Sequence, residues 1–319
     1  MDPLIVGLVA FSAVLHLAWN VRLKAAGDPL RTATIGMAAA ALVIVPVGFA
    51  AWWISGRPEL PTEGIALGVL SGVVEAVYFI FLAAAYRRGD LSVVYPIARG
   101  TAPLLAVAVG VGLLGEQLGV GGSVGVVALL AGFLWLQRPW RAVSAARGRR
   151  SQAGPPDPGT IRPRPPRPGA PRPAVDTAIL FALATGVTIA TYTALDRIGT
   201  RLIAPLPYAA ILWLTGSIAL VLWVVLVAGG GLRRDGPVAT RKAAVGGWLT
   251  LGAYLCILVA LSVAPLSGVA PLRESATVFA AAWGSVRMGE AANRAETVRR
   301  VAASGLIVGG ALLLASAGR

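Results

Sequence analysis

The chain has 319 residues, 56% of them hydrophobic and 13% charged, with a formal net charge of +14 and a mean hydropathy of +0.75. That balance excludes an ordinary soluble domain. The charge alone would suit a nucleic-acid binder, but the basic residues gather in short segments between long apolar runs, which excludes that reading.

Ten apolar runs follow one another, at about 3–21, 32–54, 64–86, 91–114, 119–137, 174–195, 206–228, 243–263, 268–286 and 301–317. A membrane-crossing helix needs about 20 apolar residues, whereas buried helices of a soluble protein are shorter and amphipathic. The expected fold is therefore an all-α integral membrane protein with ten transmembrane helices. Span 1 lacks a basic leader and is followed by positive charge, so it reads as the first span of the mature protein and not as a cleaved signal.

Ionisable and polar groups inside hydrocarbon are costly and face a cavity or a partner. In span 1, His16, Trp19 and Asn20 fall at i, i+3 and i+4 on one helical face. His16 is the only histidine, which excludes a multi-histidine metal site and leaves a proton carrier or a packing hydrogen bond. Span 3 stacks Glu75 and Tyr78, with Glu75 about eleven residues from either end. A carboxyl at that depth is either protonated or paired with a cation, Arg99 or Arg273 being the expected partner. Span 4 places Tyr95 and Arg99 one turn apart, with Pro96 and Pro103 on either side of Arg99 freeing backbone carbonyls. Arg99 lies about 12 Å from the nearer end at about 1.5 Å per residue, so snorkelling is the rival explanation for it.

Residues 138–173 hold ten prolines and nine arginines, the composition of an extended disordered linker. It divides the chain into 1–137 and 174–319, five spans each. Span 6 carries Thr188, Tyr192 and Asp196 at four-residue steps, with Asp196 near an end, either solvated or paired with Arg197. Trp213 in span 7 and Tyr254 in span 8 are either cavity aromatics or packing residues. Cys256, the lone cysteine, forms no internal disulfide. Span 9 carries Arg273 with Glu274 beside it as counter-charge. Spans 2, 5, 7 and 10 read as scaffold. Gly64, Gly68 and Gly72, Gly121 with Gly125, and Gly305 with Gly309 have the small-xxx-small spacing of helix-packing seams.

The halves are related. "YPIARGTAPLL" leads seventeen residues past Arg99 to Glu116, and "APLRESATVFA" leads seventeen past Arg273 to Glu290. Five spans is an odd number, so the second half enters the membrane reversed, an inverted repeat with its site near the midplane. Two arginines related by the inversion would serve as alternating gates or as anchors for a substrate carboxylate. Twenty-two of the 28 basic residues lie in the loops after spans 1, 3, 5, 7 and 9, and four in the other loops and termini. By the positive-inside rule, the odd loops face the cytoplasm and both termini lie outside.

The tandem pattern of Pro, two or three residues, Arg, then "GE" in spans 4 and 9, with "HLAWN" in span 1 and "ATYTALD" in span 6, resembles an EamA-domain protein of the drug/metabolite transporter superfamily. The resemblance implies a ten-helix permease, often an exporter of amino acids, metabolites or drugs. No phosphate loop of the form G-x-x-x-x-G-K-[ST] occurs, so the expected energy source is a gradient. The expectation is an inner-membrane secondary transporter moving a small polar or amphipathic solute, with proton coupling as one mode, the lipid bilayer as surroundings and a homodimer as one compatible assembly. No nucleic acid, cofactor, metal or catalytic residue is expected. The central cavity is expected to use His16, Trp19, Asn20, Glu75, Tyr78, Tyr95, Arg99, Thr188, Tyr192, Tyr254, Arg273 and Glu274. The rival class is a non-transporting sensor or an intramembrane lipid-modifying enzyme using His16.

Overall fold

The computed structural model describes residues 2–24, 28–88, 91–138, 175–229, 236–273 and 294–316. Among the described residues it contains ten helices: α1 (Pro3–Lys24), α2 (Pro29–Ile54), α3 (Thr62–Arg88), α4 (Leu91–Gly112), α5 (Val120–Gln137), α6 (Val175–Leu202), α7 (Pro205–Leu226), α8 (Gly236–Val263), α9 (Leu266–Arg273) and α10 (Arg294–Ser316). Each coincides with one expected span, though residues 274–286 of the ninth, residue 174 of the sixth and residues 139–173 of the expected linker lie outside the described residues. Five helices have segments long and apolar enough to cross a membrane: Pro29–Ile54, Thr62–Arg88, Thr177–Leu202, Pro205–Leu226 and Ala239–Val263. α1, α4, α5 and α10 carry shorter apolar stretches.

Local chemistry sets the helix starts. Asp28 caps α2, its carboxylate accepting from the N–H groups of Leu30 at 3.1 Å and Arg31 at 3.3 Å, with Pro29 in the first turn. Pro205 opens α7 in the same way after a two-residue link. α5 stops at Arg138, which adopts a left-handed conformation.

The halves pack by interleaving, and the order of contacts fixes helix direction. α2 meets its counterpart α7 with Met37 against Gly216 and Gly48 against Leu206 and Ala210, so the two run antiparallel. α5 meets α10 with Gly125 against Gly310 and Gly132 against Ala303, again antiparallel. The same exchange relates two further contacts. α3 lies against α6, with Gly64 beside Ile203 and Ser71 beside Asp196, and α8 lies against α1, with the Ser12 hydroxyl donating to the Ala253 carbonyl at 2.7 Å.

Glycine permits the closest approaches. A Cβ on Gly72 would stand 2.5 Å from the Leu212 carbonyl, and Gly64, Gly68 and Gly72 form the expected seam on α3. On α10 the expectation fails: Gly305 and Gly309 face open space, and Gly310 makes the contact. Ala303, Ile307, Gly310 and Leu314 share the face turned to α5, and Gly305 and Gly309 fall outside that stripe.

Apolar residues also cover the outside. Leu42 is 79% exposed, Leu113 80% and Leu226 74%, the surface of a chain solvated by hydrocarbon. At the end of α2, Phe49, Trp52 and Trp53 cluster with the Arg57 guanidinium 4.3 Å from the Trp53 ring, an arrangement suited to a membrane–water interface.

Candidate functional site

Polar side chains that hydrocarbon would reject are drawn to the interface between the halves. Glu75, Arg99, Asp196 and Arg273 are all buried, at 5%, 5%, 0% and 7% exposure.

Asp196 is the best-bonded of them. One carboxylate oxygen accepts from the Ser71 hydroxyl at 2.5 Å and the Tyr208 hydroxyl at 2.9 Å, and the other accepts from Tyr254. The donors come from α3, α7 and α8, so a single side chain of α6 gathers four helices. Gly199 makes this geometry available, because a Cβ there would stand 2.6 Å from the Tyr208 hydroxyl. The expectation that Asp196 is solvated or pairs with Arg197 is overturned. α6 continues to Leu202, and the four-residue step from Thr188 through Tyr192 carries Asp196 onto the inward face. Arg197 faces elsewhere, pairing with Glu116 at 3.3 Å. Tyr208 and Trp213 also correct the reading of span 7 as scaffold, since both are buried and reach the polar centre.

The arginines occupy matched positions. Tyr192 stands thirteen residues before Pro205, which opens α7, as His16 stands thirteen before Pro29, which opens α2. In the first half Arg99 Nη2 donates to His16 Nε2, an α4-to-α1 contact in which the imidazole accepts. In the second half Arg273 Nη2 donates to the Tyr192 hydroxyl at 3.5 Å, the equivalent α9-to-α6 contact. The Arg273 guanidinium also stands 5.1 Å from the Tyr254 ring centroid.

Aromatic rings link these groups in a chain of edge-on and tilted contacts: Trp19 to Phe79 at 6.2 Å, Phe79 to Tyr78 at 4.7 Å, Tyr78 to Tyr192 at 5.9 Å, Tyr192 to Tyr254 at 5.8 Å and Tyr254 to Trp213 at 5.6 Å. Glu75 borders this chain. Its Oε2 is buried without a hydrogen-bond partner among the described residues. It lines a cavity of about 10 Å³, with Trp19, Met37, Trp213 and Thr250, room for about one water. A second cavity of about 10 Å³ lies beside Arg99, Tyr78 and Thr185. Each of these two spaces is too small for a solute.

Of the expected cavity residues, the structure gathers His16, Trp19, Glu75, Tyr78, Arg99, Tyr192, Tyr254 and Arg273. Thr188 is on the right face, but its hydroxyl donates to the Thr185 carbonyl of its own helix at 2.8 Å. The side chains of Asn20 and Tyr95, and Glu274 altogether, lie outside the described residues. Sequence reasoning missed Ser71 and Phe79, although Ser71 precedes Glu75 by one turn on the same face and Phe79 follows it by one turn.

Spanning apolar helices around a buried polar centre, with hydrocarbon-like flanks, define a multi-pass membrane protein. The chain belongs to the EamA-like transporter family, whose model matches residues 2–137 and 176–316. It is thus a membrane transporter of the drug/metabolite transporter superfamily. No curated protein sequence matches it significantly. A solved structure described as "Crystal structure of protein" shares the fold, with a TM-score of 0.61 at 20% identity over 98% of this chain and 96% of the other.

Proposed function

We propose that the protein is a secondary transporter of the bacterial inner membrane, carrying a small polar or amphipathic solute by alternating access. The two halves, 1–137 and 174–319, would form an inverted repeat that rocks about the buried centre, with 138–173 as the tether. The observation that carries this reading is the mirrored pair of contacts, Arg99 with His16 and Arg273 with Tyr192, between halves whose equivalent helices α2/α7 and α5/α10 run antiparallel. Two guanidinium groups and a chain of rings suit a solute with a polar or anionic head and an apolar body. Glu75, a buried carboxyl beside a water-sized cavity, is the group placed to exchange a proton between the faces. The charge distribution favours the odd loops inside and both termini outside.

The test is transport in proteoliposomes loaded with a panel of labelled amino acids, monocarboxylates, nucleobases and cationic dyes, with and without an imposed pH gradient. Movement of at least one solute, lost in Arg99→Ala and Arg273→Ala while the protein stays monodisperse, is the expected outcome. Glu75→Gln should keep exchange of that solute but lose its response to the pH gradient. Wild-type transport by both arginine variants would remove those residues from the mechanism.

A further inference from the structure

Glu116, in the turn between α4 and α5, accepts four hydrogen bonds from the second half among the described residues. Its Oε1 accepts from the Leu266 N–H at 2.6 Å and from Arg197 Nε at 3.3 Å. Its Oε2 accepts from the Ser267 N–H at 2.8 Å and the Ser267 hydroxyl at 2.7 Å. The Leu266 and Ser267 N–H groups are the first two of α9, donors a helix leaves unpaired. Arg197 in turn donates to the Leu261 carbonyl near the end of α8 at 2.5 Å. One carboxylate of the first half thus holds the end of α6, the end of α8 and the start of α9.

Backbone geometry serves this contact. Gly115 has a φ of +65°, which turns the chain so that the side chain of Glu116 folds back over α4. The Glu116 N–H donates to the Gly110 carbonyl at 2.9 Å. A Cβ on Gly110 would stand 2.5 Å from Glu116 Oε2 and 3.1 Å from the Ser267 nitrogen, so only glycine lets α4, α9 and the carboxylate meet there. α9 spans eight residues, about 12 Å at about 1.5 Å per residue. Glu116 grips its first turn, and Arg273, at its other end, touches Tyr192 and Tyr254. A pocket of about 520 Å³, lined by Gly115, Glu116, Gln117, Arg197, Arg201 and Pro265, lies directly beside the carboxylate. It is far larger than the two water-sized cavities lined by Glu75 and by Arg99.

We infer that Glu116 is the latch of one gate: its carboxylate pins the start of α9 and Arg197, and release of those partners opens a path from the 520 Å³ vestibule to the buried centre. This inference rests on the transporter reading for its purpose, but the opening itself is measured without any solute. The contacts are charge-assisted and converge on one group, so their loss is all-or-none in character, as a two-position gate requires.

The experiment uses the full chain in proteoliposomes, with Cys256 replaced by alanine and a reporter introduced by Ala106→Cys. Ala106 is 2% exposed and sits one turn deeper in α4 than Gly110. A water-soluble methanethiosulfonate reagent should modify this reporter slowly in the parent. It should act at least tenfold faster in Glu116→Gln, which keeps the side-chain shape but loses the charge. Ser267→Ala, which removes one donor, should give about a threefold increase, and keeps the question open to measurement should the glutamine variant fail to fold. Gln117→Ala, on the vestibule wall, should match the parent. Thermal unfolding unchanged in Ser267→Ala separates a gate from a merely structural tie. Labelling in both Glu116→Gln and Ser267→Ala within twofold of the parent would overturn the latch. If labelling follows the prediction while no solute crosses, the latch stands and the transporter reading falls.

Discussion

The two halves place an arginine at the same repeat position yet hold it differently. Arg99 meets an imidazole, whereas Arg273 meets one phenol hydroxyl and lies over the ring of another. The carboxyls differ as well: Asp196 is satisfied by three hydroxyls, while Glu75 leaves an oxygen without a hydrogen-bond partner among the described residues. Duplication supplies two frameworks of one shape, and substitution within them divides the labour. On the proposed reading, the second half's centre serves cohesion and the first half's keeps Glu75 for proton exchange.

That contrast is broken most severely at Asp196. Asp196→Ala would strand the hydroxyls of Ser71, Tyr208 and Tyr254, each unpaired buried group costing about 1–3 kcal/mol. Thermal unfolding in detergent should show a loss of at least about 3 kcal/mol, or no monodisperse protein at all. Glu75→Gln, by contrast, should leave the unfolding temperature within about 2 °C of wild type, since a change under about 0.5 kcal/mol shifts a chain of this size only slightly. Equal destabilisation by the two variants would erase the proposed division.

Next in size is transport. Arg273→Ala and Arg99→Ala should each reduce initial rates about 10- to 100-fold, equivalent to about 1.4–2.7 kcal/mol of lost stabilisation. Their unfolding temperatures should move less than that of Asp196→Ala. Gly199→Ala tests the support of Asp196 indirectly: displacing the Tyr208 ring should cost about 1–3 kcal/mol of stability. The smallest effect belongs to the α5–α10 pair, where glycines can be read against one another. Gly309→Ala meets nothing within 4 Å and should be neutral. Gly132→Ala brings a Cβ to 2.8 Å from the Ala303 carbonyl and should lower stability by about 1 kcal/mol without changing transport per folded molecule.

The ten described helices and the polar positions of α1, α3, α4, α6, α8 and α9 are legible in the sequence, because a charge within an apolar run is conspicuous. Less legible was which side of an entirely apolar helix faces inward. In lipid both faces are hydrophobic, so periodicity could not tell that Tyr208 and Trp213 turn α7 toward the centre, or that Gly310 and not Gly309 meets α5. Asp196 is not legible as buried because it stands near the end of its apolar run, whereas the helix runs one and a half turns further. Glu116 was visible only as the terminal letter of a repeated motif. Its partners, Leu266 and Ser267, lie 150 and 151 residues away and carry no matching signal.

Alternating exposure of the buried centre can be measured without knowing the solute. Thr188→Cys, at a position 8% exposed on the inward face of α6, in a Cys256→Ala background, is treated with an impermeant thiol reagent in right-side-out and in inverted vesicles. Two halves rocking about a shared centre predict modification from either face, with a pH dependence that Glu75→Gln removes. Modification from neither face, or from one face alone under every condition, would contradict the account.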